Sequence, residues 1–250
     1  MKALITGASS GIGFEMAKYL GGLGYGVIAV GRSGERLETL KQIVPSARTI
    51  SMDLSQPENC YNLYLAVRNE DVGIVINNAG FGLYGGFAET SLDTEIRMIQ
   101  TNVTALHILT KLFYKDMLQR NSGYMMNVAS IAGFMPGPLM STYYATKAYV
   151  ARLTQAVREE AAVRKTGVRL SLLCPGPVAT RFNQEAGING GLKPLSAEYV
   201  AKYAVDRMLR GRFMIVPGSN VKLAKLFAKI FPDSLTAKGA MLMQGRKQKV

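Results

Sequence analysis

Tyr143 and Lys147 stand four residues apart in a stretch of helical character, so they share one face of a helix. A free phenol, with a pKa near about 10, is a poor base at neutral pH. An ammonium beside it favours the phenolate and lowers that value, which makes the tyrosine a usable general acid/base. With twelve tyrosines in the chain, such pairs also arise by chance, and this one gains weight only from its company. His107 is the sole histidine, which argues against histidine-based triads. It lies in a helical stretch and is read as a packed helix residue. Cys60 and Cys174 are far apart and form no CxxC pair, so both are expected to be free buried thiols, with neither a disulfide framework nor a zinc site.

The second chemical feature opens the chain. Gly7, Ser9, Ser10, Gly11, Ile12 and Gly13 follow a short apolar run and precede a helical stretch. Glycine permits positive φ in such a turn and lets backbone N–H groups approach a pyrophosphate at the positive end of a helix. The spacing, Gly-x3-Gly-x-Gly, differs from the commoner GxGxxG. The next apolar run ends Val30-Gly31-Arg32-Ser33, with Arg36 one turn on. An acid in this region would grip the ribose 2′-hydroxyl of NAD. None stands there, and Arg32 and Arg36 could pair with a 2′-phosphate. The plainer alternative is that both arginines form a solvated helix start.

These groups need a scaffold. Apolar runs at residues 2–5, Val27–Val30, Arg48–Met52, Gly73–Ile76, Gly123–Val128, Val168–Leu173 and Phe213–Val216 read as strands. Between them lie helical stretches at 12–21, Arg36–Ile43, Pro57–Arg68, Ser91–Arg120, Ser141–Lys165 and Ala197–Leu209. Strict alternation with continuous apolar strands predicts an α/β fold: one doubly wound Rossmann-type domain with a mostly parallel seven-stranded sheet and helices on both faces. The catalytic domain is read as 1–220, with 221–250 a basic, amphipathic C-terminal extension of it. Ligands on such sheets bind at the carboxyl ends of the strands.

Hydrophobic residues make up 48% and charged residues 19% of the 250, a globular profile. Met1-Lys2 runs straight into the first strand, so no signal peptide is expected, and no apolar run reaches membrane-spanning length. A cytoplasmic protein is the expectation. The net charge of +13 raises the question of nucleic acid. The last thirty residues, however, hold seven bases (Lys222, Lys225, Lys229, Lys238, Arg246, Lys247, Lys249) and one acid, Asp233, a net +6. No nucleic-acid-binding motif accompanies this tail, and no nucleic-acid partner is expected. Leu223, Leu226, Phe227 and Ile230 share one helical face and Lys222, Lys225 and Lys229 another. That helix is read chiefly as packing on its own domain or on another subunit, with contact at a membrane surface as the alternative.

The whole set resembles the short-chain dehydrogenase/reductase family, in its NADP(H)-dependent members. The resemblance covers nearly the whole chain and rests on six ordered motifs: TGASSGIG at 6–13, Asp53 in Met52-Asp53-Leu54, Asn77-Asn78-Ala79-Gly80, Asn102 in Thr101-Asn102-Val103, Ser130 with Tyr143-x-x-x-Lys147, and Pro175-Gly176-Pro177-Val178-Ala179-Thr180. By resemblance, Tyr143 exchanges a proton with a carbonyl or alcohol oxygen and Ser130 hydrogen-bonds the same oxygen. Lys147 lowers the tyrosine pKa and binds the nicotinamide ribose, and Asn102 holds a water of the proton relay. Asp53 and Leu54 flank the adenine, and Asn78, Ala79 and Gly80 pass under its ribose. Pro175, Gly176, Val178 and Thr180 line the nicotinamide, with Val178 and Thr180 anchoring its carboxamide. The substrate loop falls at 181–195, glycine-rich at Gly187, Gly190 and Gly191. The Phe134–Met140 loop is read as a second wall, its Phe134, Met135, Leu139 and Met140 hinting at a hydrophobic substrate.

The expected function is therefore NADP(H)-dependent interconversion of a small-molecule carbonyl and an alcohol, by a homodimer or homotetramer. Two alternatives stand beside it. One is a non-catalytic NADP(H) sensor, which would not need Asn102, Ser130, Tyr143 and Lys147 together. The other is a membrane-associated lipid- or steroid-type dehydrogenase, resting on the tail.

Overall fold

A strand buried on both faces sends alternate residues to opposite layers, and the first strand of this protein does so. In the computed structural model, which describes residues 1–187 and 194–245, Ala3 and Ile5 pack into one layer and Leu4 into the other. The main sheet has seven strands, and all but the largely exposed edge strand β3 are buried in the same way: β1 (Lys2–Thr6), β2 (Gly26–Gly31), β3 (Arg48–Ser51), β4 (Val72–Asn77), β5 (Gly123–Val128), β6 (Val168–Leu173) and, after a short pair β7 (Val178–Ala179) and β8 (Leu195–Ser196), β9 (Met214–Ile215). The sheet order is β3-β2-β1-β4-β5-β6-β9, every pairing parallel. The strand order reverses between β1 and β4, which opens a crevice at their carboxyl ends.

The crossovers are α1 (Gly11–Gly22), α2 (Gly34–Ile43), α3 (Pro57–Val67), α4 (Leu92–Ile99), α5 (Leu106–Gln119), α6 (Ser141–Val163) and α8 (Ala197–Leu209), with a one-turn α7 (Phe182–Glu185). On one face Met16, Ala17 and Leu20 of α1 and Ala201, Ala204, Val205 and Met208 of α8 cover β1, β2 and β4. On the other, Cys60, Leu63 and Val67 of α3 and Leu109, Phe113 and Met117 of α5 do so. Both cysteines are free and buried.

The structure revises several readings. The stretch Ser91–Arg120 is not one regular helix: a π turn at Gln100–Ala105 separates α4 from α5. Helix α2 starts at Gly34 rather than Arg36, because the Ser33 hydroxyl accepts from the Arg36 N–H and caps it. His107 is exposed on α5, not packed, and its Nδ1 lies 2.8 Å from the Tyr149 hydroxyl. The tail folds as two helices, α9 (Ser219–Ile230) and α10 (Asp233–Gly245), broken at Phe231-Pro232. Both pack on the main body: Val221 joins the cluster of Val150, Leu172 and Cys174, and Thr236, Ala240 and Gln244 are buried. Arg246, Lys247 and Lys249 lie outside the described residues. No described helix is long and apolar enough to cross a membrane.

Candidate active site

The glycine turn is built by packing and then locked by hydrogen bonds. Gly7 and Gly11 hold positive φ, +67° and +59°, where a side chain would be strained. A Cβ on Gly13 would come within 2.4 Å of Asn78 Nδ2 and 2.5 Å of the Gly7 carbonyl oxygen. Asn78 explains the crowding. Its Nδ2 donates to the carbonyls of Thr6 (3.0 Å) and Gly7 (3.3 Å). Thr6 Oγ1 in turn accepts from the Asn78 and Ala79 N–H groups at 3.0 and 3.1 Å. The end of β4 is thus laced to the turn after β1, across the strand-order reversal.

A cleft of about 340 Å³ runs along these strand ends, within the range for small-molecule sites, ~300–1,000 Å³. The glycine turn contributes Gly7, Ser9, Ser10, Gly11 and Ile12; Arg32, just after β2, and Arg36, in the first turn of α2, join them, as do Asp53, Leu54, Asn78, Ala79 and Gly80. Ser130, Tyr143 and Lys147 close the far end, with Pro175, Gly176, Val178 and Thr180 above them. Only Gly13 and Asn102, of the residues singled out in the sequence, stand behind the lining rather than in it. Gly13 sits beneath the turn. Asn102 is fully buried: its Oδ1 accepts from the Phe81 N–H (3.0 Å) and its Nδ2 donates to the Phe81 carbonyl (2.9 Å) and to Thr146 Oγ1 (3.1 Å).

Around Tyr143, burial is the strongest influence. It pushes the phenol pKa up, and the Ser130 hydroxyl within hydrogen-bonding reach pulls it back in part. Ser130 Oγ also donates to the Pro175 carbonyl at 3.4 Å and accepts from the Ala132 N–H at 3.2 Å. Lys147 Nζ lies 5.8 Å from the centroid of the Tyr143 ring and donates to the Val128 carbonyl at 2.9 Å. Burial pulls the Lys147 amine down to about 8. Desolvation, which works against the phenolate, is thus the largest influence on the Tyr143 hydroxyl.

The loop readings need correction. Of the four residues read as a wall in the Phe134–Met140 loop, Met140 alone lines the cleft. Phe134 instead packs beneath α9, where Lys225 Nζ lies 5.2 Å from its ring centroid. From the 181–195 loop, Phe182 faces Tyr143 with ring centroids 5.2 Å apart, while Gly190 and Gly191 lie outside the described residues. Sequence reading missed Phe81, Tyr144 and Gln244 as lining residues. Phe81 follows Asn78-Ala79-Gly80 directly and Tyr144 follows Tyr143, so adjacency was a usable signal. Gln244 offered none.

Could the glycine end hold a dinucleotide? The turn packs inward against Asn78 and the Gly7 carbonyl, so no Cβ intrudes, and the N-terminus of α1 faces the cleft; the residues fit a bound pyrophosphate. A parallel sheet with such a turn at its strand-order reversal defines a dinucleotide-dependent enzyme scaffold. Residues 1–189 match the family model for short chain dehydrogenase, and the chain belongs to that family of NAD(P)-dependent oxidoreductases acting on CH–OH and carbonyl groups. An uncharacterized oxidoreductase of Staphylococcus epidermidis is 34% identical over 207 residues, covering 81% of this chain and 88% of its own. Estradiol 17-beta-dehydrogenase 11 of Mus musculus is 32% identical over 238 residues, covering 92% and 79%. A short-chain dehydrogenase from Sphingobium yanoikuyae, solved in complex with NADPH, superposes with a TM-score of 0.84 at 29% identity, covering 96% of this chain and 94% of the other.

Proposed function

We propose that this protein is an NADP(H)-dependent oxidoreductase that interconverts a carbonyl and an alcohol, with Tyr143 as general acid/base. The observation that carries the reading is one continuous cleft. Arg32 and Arg36, with no acid among them, line one end; buried Tyr143, beside Ser130 and Lys147, lines the other. The S. yanoikuyae neighbour's NADPH supports the same choice of cofactor.

The nicotinamide supplies or accepts the hydride; the side chains manage the proton and the geometry. The raised phenol pKa keeps Tyr143 protonated at neutral pH, ready to give its proton to a carbonyl oxygen. Ser130 offers that oxygen a second hydrogen bond as charge develops on it. Lys147, tethered to the Val128 carbonyl, holds a proton close to Tyr143 and would hold the nicotinamide ribose of a bound cofactor. The Asn102 side chain is committed to Phe81 and Thr146, so its part is to hold Phe81 in the wall of the cleft. Thr180 stands across from Gly11, where it and Val178 orient the carboxamide. The substrate end is walled by Phe81, Met140 and Phe182, which favours an apolar carbonyl compound, in keeping with the estradiol dehydrogenase relative.

The test is a panel of ketones and aldehydes with NADPH and with NADH, using the wild type and Tyr143→Phe. We expect NADPH to give at least about tenfold higher kcat/KM, since a guanidinium–phosphate pair contributes ~1.5–3 kcal/mol. Tyr143→Phe should still bind NADPH, as seen by fluorescence, yet lose at least about a hundredfold in kcat. A preference for NADH would overturn the cofactor assignment, and undiminished turnover in Tyr143→Phe would overturn the mechanism.

A further inference from the structure

Two residues at the substrate end of the cleft play no part in the proton chemistry. Gln244 comes from α10, a hundred residues after Tyr144 of α6. Its side chain is only 3% exposed, and it lines the same cleft as Tyr143. Two tyrosines fix it in place. Its Nε2 donates to the Tyr144 hydroxyl at 2.8 Å, and its main-chain carbonyl accepts from the Tyr84 hydroxyl at 3.0 Å.

The Gln244 side chain is half satisfied. Among the described residues its Oε1 has no hydrogen-bond partner, although the atom is buried. A buried orphan acceptor costs about 1–3 kcal/mol, and native structures rarely carry one without a reason. Tyr144 complements it. Its oxygen accepts from Gln244, which leaves its own proton to give, and burial pushes its pKa up so that the proton stays on at neutral pH. A free acceptor and a free donor therefore stand side by side. A hydroxyl group meets both at once, because it donates and accepts. Tyr144 stands beside Tyr143, ring centroids 6.2 Å apart, and the surrounding lining is apolar: Phe81, Ala132, Met140 and Phe182.

We infer that Gln244 and Tyr144 form a second polar subsite that recognises a hydroxyl on the substrate, separate from the carbonyl that Tyr143 serves. The preferred substrate is then an apolar hydroxyketone, or the corresponding diol in the oxidising direction. This rests on the oxidoreductase reading above and narrows it. Gln244 here is a specificity residue; it does not touch the reacting atoms.

The experiment uses straight-chain methyl ketones of increasing length, each assayed with NADPH beside its terminally hydroxylated counterpart. At the matching length, kcat/KM of the wild type should favour the hydroxyketone by at least about tenfold, the worth of one good hydrogen bond made in place of an orphan. In Gln244→Leu that ratio should fall to about one. In Gln244→Glu, which keeps an acceptor, part of the preference should return. Melting curves and NADPH fluorescence of both variants report their folding, and the wild-type ratio decides the matter alone if neither folds. Turnover of the ketones with no preference for hydroxylated members at any length overturns the subsite. A preference that persists unchanged in Gln244→Leu does the same. Absence of turnover with every member overturns the oxidoreductase reading, and the subsite with it.

Discussion

Lys147 carries the cost of its position. Its amine is 5% exposed and pulled down from 10.5 to about 8 by burial. Because the folded value lies below the unfolded one, the unfolded chain binds more protons between about pH 8 and 10.5, so stability should rise with pH across that window. Below it the full penalty applies, ~3 kcal/mol at ~1.4 kcal/mol per pKa unit. Lys147→Met removes the charge but orphans the Val128 carbonyl, which offsets ~1–2 kcal/mol. We expect that variant, in urea unfolding at neutral pH, to be at least as stable as the wild type while losing turnover; a loss above ~2 kcal/mol would refute this account of the site. Tyr143 gives a matching kinetic expectation. With its pKa raised, the phenol is protonated through the neutral range, so carbonyl reduction should be flat in pH there. Alcohol oxidation, which needs the phenolate, should climb about tenfold per pH unit until the tyrosine titrates. A bell centred near neutrality in both directions would contradict it.

Elements place these residues, and the elements differ in how far the sequence announces them. Six of the seven strands of the main sheet were readable because they are apolar on both faces, which the edge strand β3 (Arg-Thr-Ile-Ser) is not, and the glycine turn because Gly7 and Gly11 need positive φ. Gly13→Ala puts a methyl group 2.5 Å from the Gly7 carbonyl, and overpacking against backbone costs ~1–3 kcal/mol; we expect a lower Tm and weaker NADPH binding together. The π turn could not be read: Gln-Thr-Asn-Val-Thr-Ala holds no glycine or proline to break a helix. What fixes it is tertiary, the Asn102 amide gripping both backbone groups of Phe81. Asn102→Ala leaves both unpaired and should lower stability by ~2–4 kcal/mol in urea unfolding; a change under ~1 kcal/mol would mean that water replaces the amide. The amphipathic pattern announced α9, whereas α10 and its contacts were hidden for the same reason as the π turn. Gln244 reaches Tyr144 and Tyr84 across 100 and 160 residues, and no local pattern encodes such a contact.

At the scale of the whole molecule, the described residues leave apolar side chains exposed on several helices, among them Leu92, Ile96 and Ile99 on α4 and Leu223, Leu226 and Ile230 on α9. Contiguous exposed apolar surface marks association, and two-fold assemblies use one such face for a dimer and a second for a tetramer. Light scattering should return a multiple of 27.2 kDa, with Ile96→Glu lowering it, and the protein should stay in the supernatant when anionic vesicles are sedimented. A monomeric wild type would refute the assembly. The tail has a separate significance. The match to the family model ends at residue 189, and it takes in the glycine turn, Ser130, Tyr143, Lys147 and Thr180. Gln244 enters the cleft from beyond that boundary. One half of the proposed hydroxyl subsite, Gln244, is therefore supplied by a stretch of chain separate from the one that holds its partner Tyr144 and the reaction chemistry, so relatives that share the chemistry need not share the preference. Replacing α9 and α10 by those of a relative without this glutamine should remove the preference for hydroxylated ketones and leave the coenzyme choice unchanged.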